Sequence, residues 1–154
     1  MVNLSTRVGP GLHFKNEYAE DVTANVAFTK GDICQFDLGQ TVATSNSEGA
    51  AASGLNTIIA PVTAGLRWGI LGVVMETVAA GAKTKVLVKG LVKAQTTGTP
   101  AKHLGLTAAN GVKTLAVTGG TGMEKVIAIT METGTSSPTY VLFDGINGFD
   151  SDGA

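Results

Sequence analysis

The sequence predicts an all-β fold, a small β-barrel or jelly-roll-like sandwich with an extended N-terminal arm, and three observations predict it. Short runs rich in Val, Ile, Thr and Phe are separated by turn signals at spacings of about eight to twelve residues. The longest alternating run changes phase at Gly90, as a strand does at a β-bulge. No stretch carries the sustained 3.6-residue apolar period of an amphipathic helix.

The arm is expected over residues 1–25 and the β-domain over residues 26–150. The first stretch mixes Gly9-Pro10-Gly11 with Asn, Glu and Asp and shows no sustained period, so it reads as extended chain rather than a core element. A frayed terminus is one outcome. Leu12, Phe14, Tyr18 and Val22 are a large apolar load for a segment left loose in water, and docking onto something else is the other.

From Val26 the pattern becomes short β-type runs. VAFTKGDICQFDL is broken by the turn pair Gly31-Asp32. Thr44 to Asn56, TSNSEGAAASGLN, is small and polar and is expected as an exposed loop. Ile58 to Val78 is apolar but carries Pro61, Gly65, Gly69 and Gly72. Each glycine costs a helix about 1 kcal/mol and the Val/Ile content suits strand, so Arg67 to Thr77 is expected as a strand buried on both faces.

Lys83 to Ala94 alternates, with Lys83, Lys85, Leu87 and Lys89 on one parity and Thr84, Val86 and Val88 on the other, until Gly90 shifts the phase. A bulge there would bend the strand where a barrel turns a corner. Asn110-Gly111, between LGLTAA and VKTLAV, is a two-residue hairpin signal. Thr118 to Gly122 is another turn, followed by the runs KVIAITMET and YVLFDGI. A short Ala-rich helical turn within 48–54 or 106–110 is compatible with all of this.

One phrase is written twice. METVAAGAKTKVLVKGL from Met75 and METGTSSPTYVLFDGI from Met131 both read as the end of a strand, a Gly-bearing spacer and a return strand. The offset is 56 residues from Met75 to Met131 and 55 from Val86 to Val141. Two copies are too few for a solenoid or propeller, which leaves duplication inside one barrel or chance likeness of two hairpins.

Composition narrows the function. The chain has 154 residues, enough for one domain with its own core, of which 15% are charged and 21 are glycine. Net charge is -1 and there is no Lys/Arg run, so a nucleic-acid partner is not expected. A surface with so little colloidal repulsion is expected to be covered by a partner. Cys34 is the single cysteine, which excludes an internal disulfide. The opening residues lack a leader-like apolar segment and no run of about 18 apolar residues exists, so a chain made in the cytoplasm without membrane insertion is expected.

No catalytic, cofactor or metal site is expected. His13 and His103 lack partners at metal-ligand spacing. Cys34, in ICQF, reads as a small core residue rather than a nucleophile. Glu76 and Glu132 sit at strand ends and read as solvated edge charges. TGGTGMEK departs from the phosphate-loop spacing and precedes a β-run. Asp144, Asp150 and Asp152 do not match a calcium loop.

The phrase GILGVVMETVAAGAKTKVLVKGLVKA resembles the central signature of the capsid decoration, or cement, proteins of tailed bacteriophages. The likeness rests on Gly72-Val73, the Ala79-Ala80-Gly81-Ala82 turn, and Val86, Val88, Gly90, Val92 and Ala94. GDICQFDLGQ is similar to the first barrel strand of that family. The resemblance covers about half the chain and implies a β-knob on the outside of an assembled capsid. It also implies binding to the major capsid protein, bridging of neighbouring shell subunits, self-association as a trimer rather than a dimer, and no catalytic residues.

The expectation is therefore a virion structural protein without enzymatic activity or cofactor. Leu12, Phe14 and Tyr18 are its candidate contact residues and Trp68 is a further one, with core packing the competing role for Trp68. A tail-tube or head-fibre component is the first rival. A small β-barrel enzyme is the second, and Glu76, Glu132 and His103 are the only residues available to serve it.

Overall fold

The computed structural model of the chain describes residues 15–37, 58–62, 70–108, 112–118, 125–134 and 138–149. Nine strands and no helix occur among them: β1 (Glu17–Ala24), β2 (Ile33–Asp37), β3 (Ile58–Ala60), β4 (Leu71–Val74), β5 (Lys83–Ala94), β6 (Gly105–Ala108), β7 (Leu115–Val117), β8 (Ala128–Thr130) and β9 (Thr139–Asp144). They form one sheet in the order β1-β3-β2-β4-β5-β9-β8-β6-β7, and β1 also pairs with β5. That extra pairing closes the first five strands into a barrel, which leaves none of them as a free edge.

The barrel is filled by Val22 and Ala24 of β1, Cys34 and Phe36 of β2, Ile59, Val74 and Val86, with Phe28 and Val78 at one end. Each fully buried aliphatic of this kind is worth about 1.5–3 kcal/mol, against 0–1 kcal/mol for an exposed ion pair such as Lys85–Glu20 at 3.1 Å. Burial therefore closes the barrel, and the ion pair decorates its rim.

This corrects the boundary expected after residue 25. Glu17–Ala24 is a barrel strand, parallel to β3 (Thr23↔Ile58, Ala24↔Ile59) and antiparallel to β5. Its alternation is hidden because its register against β5 shifts twice, between Glu17 and Tyr18 and between Ala19 and Val22, and Asp21 holds φ +55°. The rest of the expected arm, the stretch before Lys15, lies outside the described residues. Of the strand expected at 67–77, residues 71–74 form β4, all four of them buried, while 67–69 lie outside the described residues. The helical turn allowed at 106–110 is instead β-strand through Ala108.

The phase slip in β5 is present. Leu87, on one parity, and Val92 and Ala94, on the other, join the same second core with Ile33, Val73, Leu106, Leu115, Val141 and Phe143. Between them Gly90 holds φ +134°, and β1 passes from Glu17↔Lys89 to Tyr18↔Leu87, skipping Val88. The strand kinks there and passes from one core to the next.

The repeated phrase marks a duplication of the whole unit. In the first half Val73 pairs with Leu87 and Val74 with Val86; in the second, Ile129 pairs with Leu142 and Thr130 with Val141. The adjoining strands follow the same scheme, Cys34↔Gly72 beside Leu106↔Ala128, and Phe36↔Ile59 beside Ala108↔Leu115. Hydrogen bonds repeat as well. The Met75 amide donates to the Lys85 carbonyl at 3.0 Å and Met131 to Tyr140 at 2.9 Å, while Gly31 donates to Val74 at 2.7 Å and His103 to Thr130 at 2.9 Å. Gly31 and His103 both hold positive φ, +91° and +66°.

The counterpart of β1 is the second half of β5. Val22↔Thr84 is matched by Ala94↔Thr139, and the parallel pairing Ala24↔Ile59 by the bridge Thr96↔Leu115. Two similar five-strand units thus share one long kinked strand. Much of this likeness was invisible because β2 and β3 are separated by residues 38–57 and β6 and β7 only by 109–114, so offsets of 55 and 56 become 72 from Gly31 to His103.

The two interiors differ at one polar position. Thr139 exchanges a hydrogen bond with Thr96 at 3.1 Å, but Thr84, its counterpart, is buried with no partner for its hydroxyl, because Ala24 stands where the second unit has Thr96. An unpaired buried hydroxyl costs about 1–3 kcal/mol. Thr84→Val is expected to stabilise the protein by about 1 kcal/mol in chemical denaturation, and an equal or larger loss would show that the hydroxyl is satisfied.

Candidate functional site

The duplication exposes an asymmetry. In the first unit the cross-strand row Ile33–Val73–Leu87 is wholly buried, packed into the second core, and the Ile33 amide donates to the Lys113 carbonyl at 2.8 Å. Lys113 also donates to the Ala27 carbonyl and stands 4.6 Å from the Phe28 ring centre. The equivalent row of the second unit, Gly105–Ile129–Leu142, is only half-buried.

Around that open row the sheet is apolar. Leu91, opposite Leu142 in the ladder, is 37% exposed, and Tyr140 is 42% exposed. Lys93, opposite Tyr140, holds its ammonium 4.8 Å from the ring centre, a cation–π contact that covers one side of the ring. A groove of about 370 Å³ adjoins the row, lined by Lys15 and Glu17 at the start of the described chain, by Leu142 and Phe149, and by Lys89 and Asp144. Such a face, an aliphatic and aromatic centre rimmed by Lys89, Asp144 and Lys93, suits a protein partner.

Lys89 and Asp144 pair at 3.2 Å. Burial would raise the Asp144 carboxyl, but amide donation from Asn147 at 2.9 Å and Ile146 at 3.1 Å, together with Lys89, outweighs it and holds the carboxyl below its ordinary range. Burial lowers the nearby Lys125 ammonium, with Asp144 opposing; that ammonium donates to the Ile146 carbonyl at 3.0 Å. Asp144 therefore ties down the turn beside the groove.

A depressed carboxyl contributes stability above its unfolded value, about 3.9, and loses it as pH falls through the folded one. Asp144→Asn is expected to cost about 1–3 kcal/mol at neutral pH, with the gap to the parent protein beginning to narrow only below about pH 3.9 and closing as pH falls through the lower folded value. Denaturation curves taken across that range test it, and a gap that persists in acid would point to packing instead.

Of the residues singled out from sequence, Leu12, Phe14 and Trp68 lie outside the described residues. Tyr18 is in β1, 39% exposed, its ring centre 4.4 Å from the Lys85 ammonium and its hydroxyl accepting from the Asn16 side chain at 3.1 Å. It sits on the β1–β5 seam, at whose end the Leu91 amide donates to Asn16 Oδ1 at 3.0 Å. The surface residues Leu91, Ile129, Tyr140 and Leu142 were not anticipated. Aligning the two copies of the repeated phrase would have placed Leu142 with Leu87 and asked what covers each.

Glu76 and Glu132 belong to different hairpins, and Glu132 Oε1 accepts from the Tyr140 amide at 2.9 Å. His103 makes a turn. Cys34 is buried, and burial pushes its thiol far above its ordinary range. Among the described residues no group of three or more His, Cys, Asp or Glu is placed to hold a metal.

The fold is similar to that of the head fibre gp8.5 N base of bacteriophage phi29, with a TM-score of 0.53 and 12% identity, over 90% of this chain and 99% of that one. No protein-family model and no curated protein matches the chain.

Proposed function

We propose that this chain is a structural protein of the bacteriophage virion, seated on the outer surface of the head, where it strengthens the shell by bridging major capsid protein subunits. The observation that carries the reading is the fold shared, nearly end to end, with the base of a head fibre. The resemblance of GILGVVMETVAAGAKTKVLVKGLVKA to capsid decoration proteins points the same way. The open apolar face and the low charge of the chain support a surface made to be covered.

Cementing of this kind works by mass action. A protein that buries apolar area against neighbouring subunits only after they have closed adds its binding energy to the assembled state alone. Repetition over many sites multiplies small energies. In this reading the contact region comprises the open face of the second unit, Tyr18 and the arm residues Leu12 and Phe14, with Trp68 as a further contact, and the protein assembles as a trimer.

The head-fibre base is a second reading, favoured by the same comparison. Purified heads lacking this chain, mixed with it, separate the two. Density on the head exterior together with a raised melting temperature of the head supports the cement reading. Exterior density with unchanged head stability supports a fibre base. Failure to co-sediment with heads would overturn both.

A further inference from the structure

We infer that the second unit is conditional on the first: it folds only against the outer row of the first unit and opens while the first barrel stays closed, and the reverse opening does not occur. This goes beyond the proposed function and does not depend on it, because it concerns the free protein.

The two cores are built one-sidedly. Every member of the cluster that fills the first barrel, partly buried ones included, lies between Ala19 and Val88, so that barrel is filled without help from the rest of the chain. The second core instead takes Ile33, Val62, Leu71, Val73 and Leu87 from the first unit, all of them buried. Burial of such aliphatic side chains is the main term that holds a unit closed, and much of what the second unit needs stands on strands that are not its own.

The seam of the second barrel has the same dependence. β5 meets β7 at the bridge Thr96↔Leu115, and the main chain of the first unit is set in beside it: the Gln95 amide donates to the Gly31 carbonyl and the Ile33 amide to the Lys113 carbonyl, each at 2.8 Å. The first barrel is closed by its own β1, paired with β3 on one side and β5 on the other. Opening the second unit bares one face of β2, β4 and the start of β5 and leaves the other face packed in the first core. Opening the first would withdraw Ile33, Val73 and Leu87 from the second core and Gly31 from its seam. The open row Gly105–Ile129–Leu142 lies on the conditional unit, so a partner seated there binds only the closed form and holds it closed.

Hydrogen exchange on the native, full-length protein, read amide by amide by NMR, tests this. Opening of the second unit alone frees the Ile127 amide, which donates to Leu106, and the Asp144 amide, which donates to Ile127; the Ala24 and Val74 amides, bonded to the Ala82 and Asp32 carbonyls, are freed only by complete unfolding. The first pair is therefore expected to be the less protected, and equal protection overturns the inference. Ile59 and Leu115 hold equivalent places in the two cores. Ile59→Ala destabilises the closed and half-open forms alike, and is expected to speed exchange at Ala24 and Val74 on the order of a hundredfold while leaving Ile127 and Asp144 unchanged. Leu115→Ala destabilises the closed form alone and is expected to speed all four. Acceleration of all four by Ile59→Ala would make the chain one cooperative unit, and unchanged Ala24 and Val74 in Leu115→Ala would mean that the first unit opens on its own; either result overturns the inference. Where an alanine variant does not fold, the valine variant at the same position gives the same contrast on a several-fold scale.

Discussion

A chain cut back to Asp21 is expected to lose its barrel, whereas a chain that begins at Lys15 is expected to keep it. The deeper cut removes the start of β1, including the pairings Glu17↔Lys89, Tyr18↔Leu87 and Ala19↔Val86. The remaining Val22 and Ala24 supply two buried side chains to the first core but would hang on a four-residue stub, Asp21 to Ala24, with the edges of β3 and β5 open. Losing even the Val22 contribution costs about 1.5–3 kcal/mol, a large share of a typical total of roughly 5–15 kcal/mol. Circular dichroism melts of the two truncations measure this. If both melt like the full chain, β1 does not close the barrel.

The distinction matters for any functional test of the arm. Removing residues 1–14 isolates the contribution of Leu12 and Phe14 to binding heads, while a longer deletion confounds it with unfolding.

Gly145→Ala is expected to destabilise the protein by about 3 kcal/mol or more, the upper range for overpacking. A Cβ at that position would lie 1.9 Å from the Leu71 carbonyl oxygen and 2.6 Å from its carbon, and main chain cannot turn aside as a side chain can. Nor can the two segments part, since the Leu71 amide donates to the Gly145 carbonyl at 3.0 Å and the Gly145 amide to Val88 at 2.9 Å. Gly145 thus sits where the end of β9 passes between the first unit and the kink of β5, and the methyl would wedge the two units apart. For a domain of this size such a loss lowers the melting temperature by roughly 10 °C.

Gly81→Ala provides the contrast. That residue has φ +80° but nothing within 4 Å of a Cβ, so only backbone strain of about 1–2 kcal/mol is at stake. Equal effects at the two positions would show that the close approach at Gly145 is not what matters.

Local chemistry determined the strand class, the kink of β5 and the hairpin of the repeated phrase. Alternation, turn glycines and the slip at Gly90 are nearest-neighbour properties that each segment carries wherever it lies. The reach of the repeat was not legible in the same way. Matching β2 with β6 needs a pairing register, and registers are set by partners dozens of residues away. For the same reason β1 does not read as a strand: its double register shift breaks the period, and only closure against β3 and β5 makes Glu17–Ala24 one.

The candidate surface belongs wholly to the tertiary level. Nothing in VLVKGL or YVLFDGI distinguishes Leu87, which is buried, from Leu142, which is half-open, because the two have nearly the same neighbours in the chain. Burial is decided by what packs on the outer side of each unit, and one row gained the rest of the molecule while its twin did not.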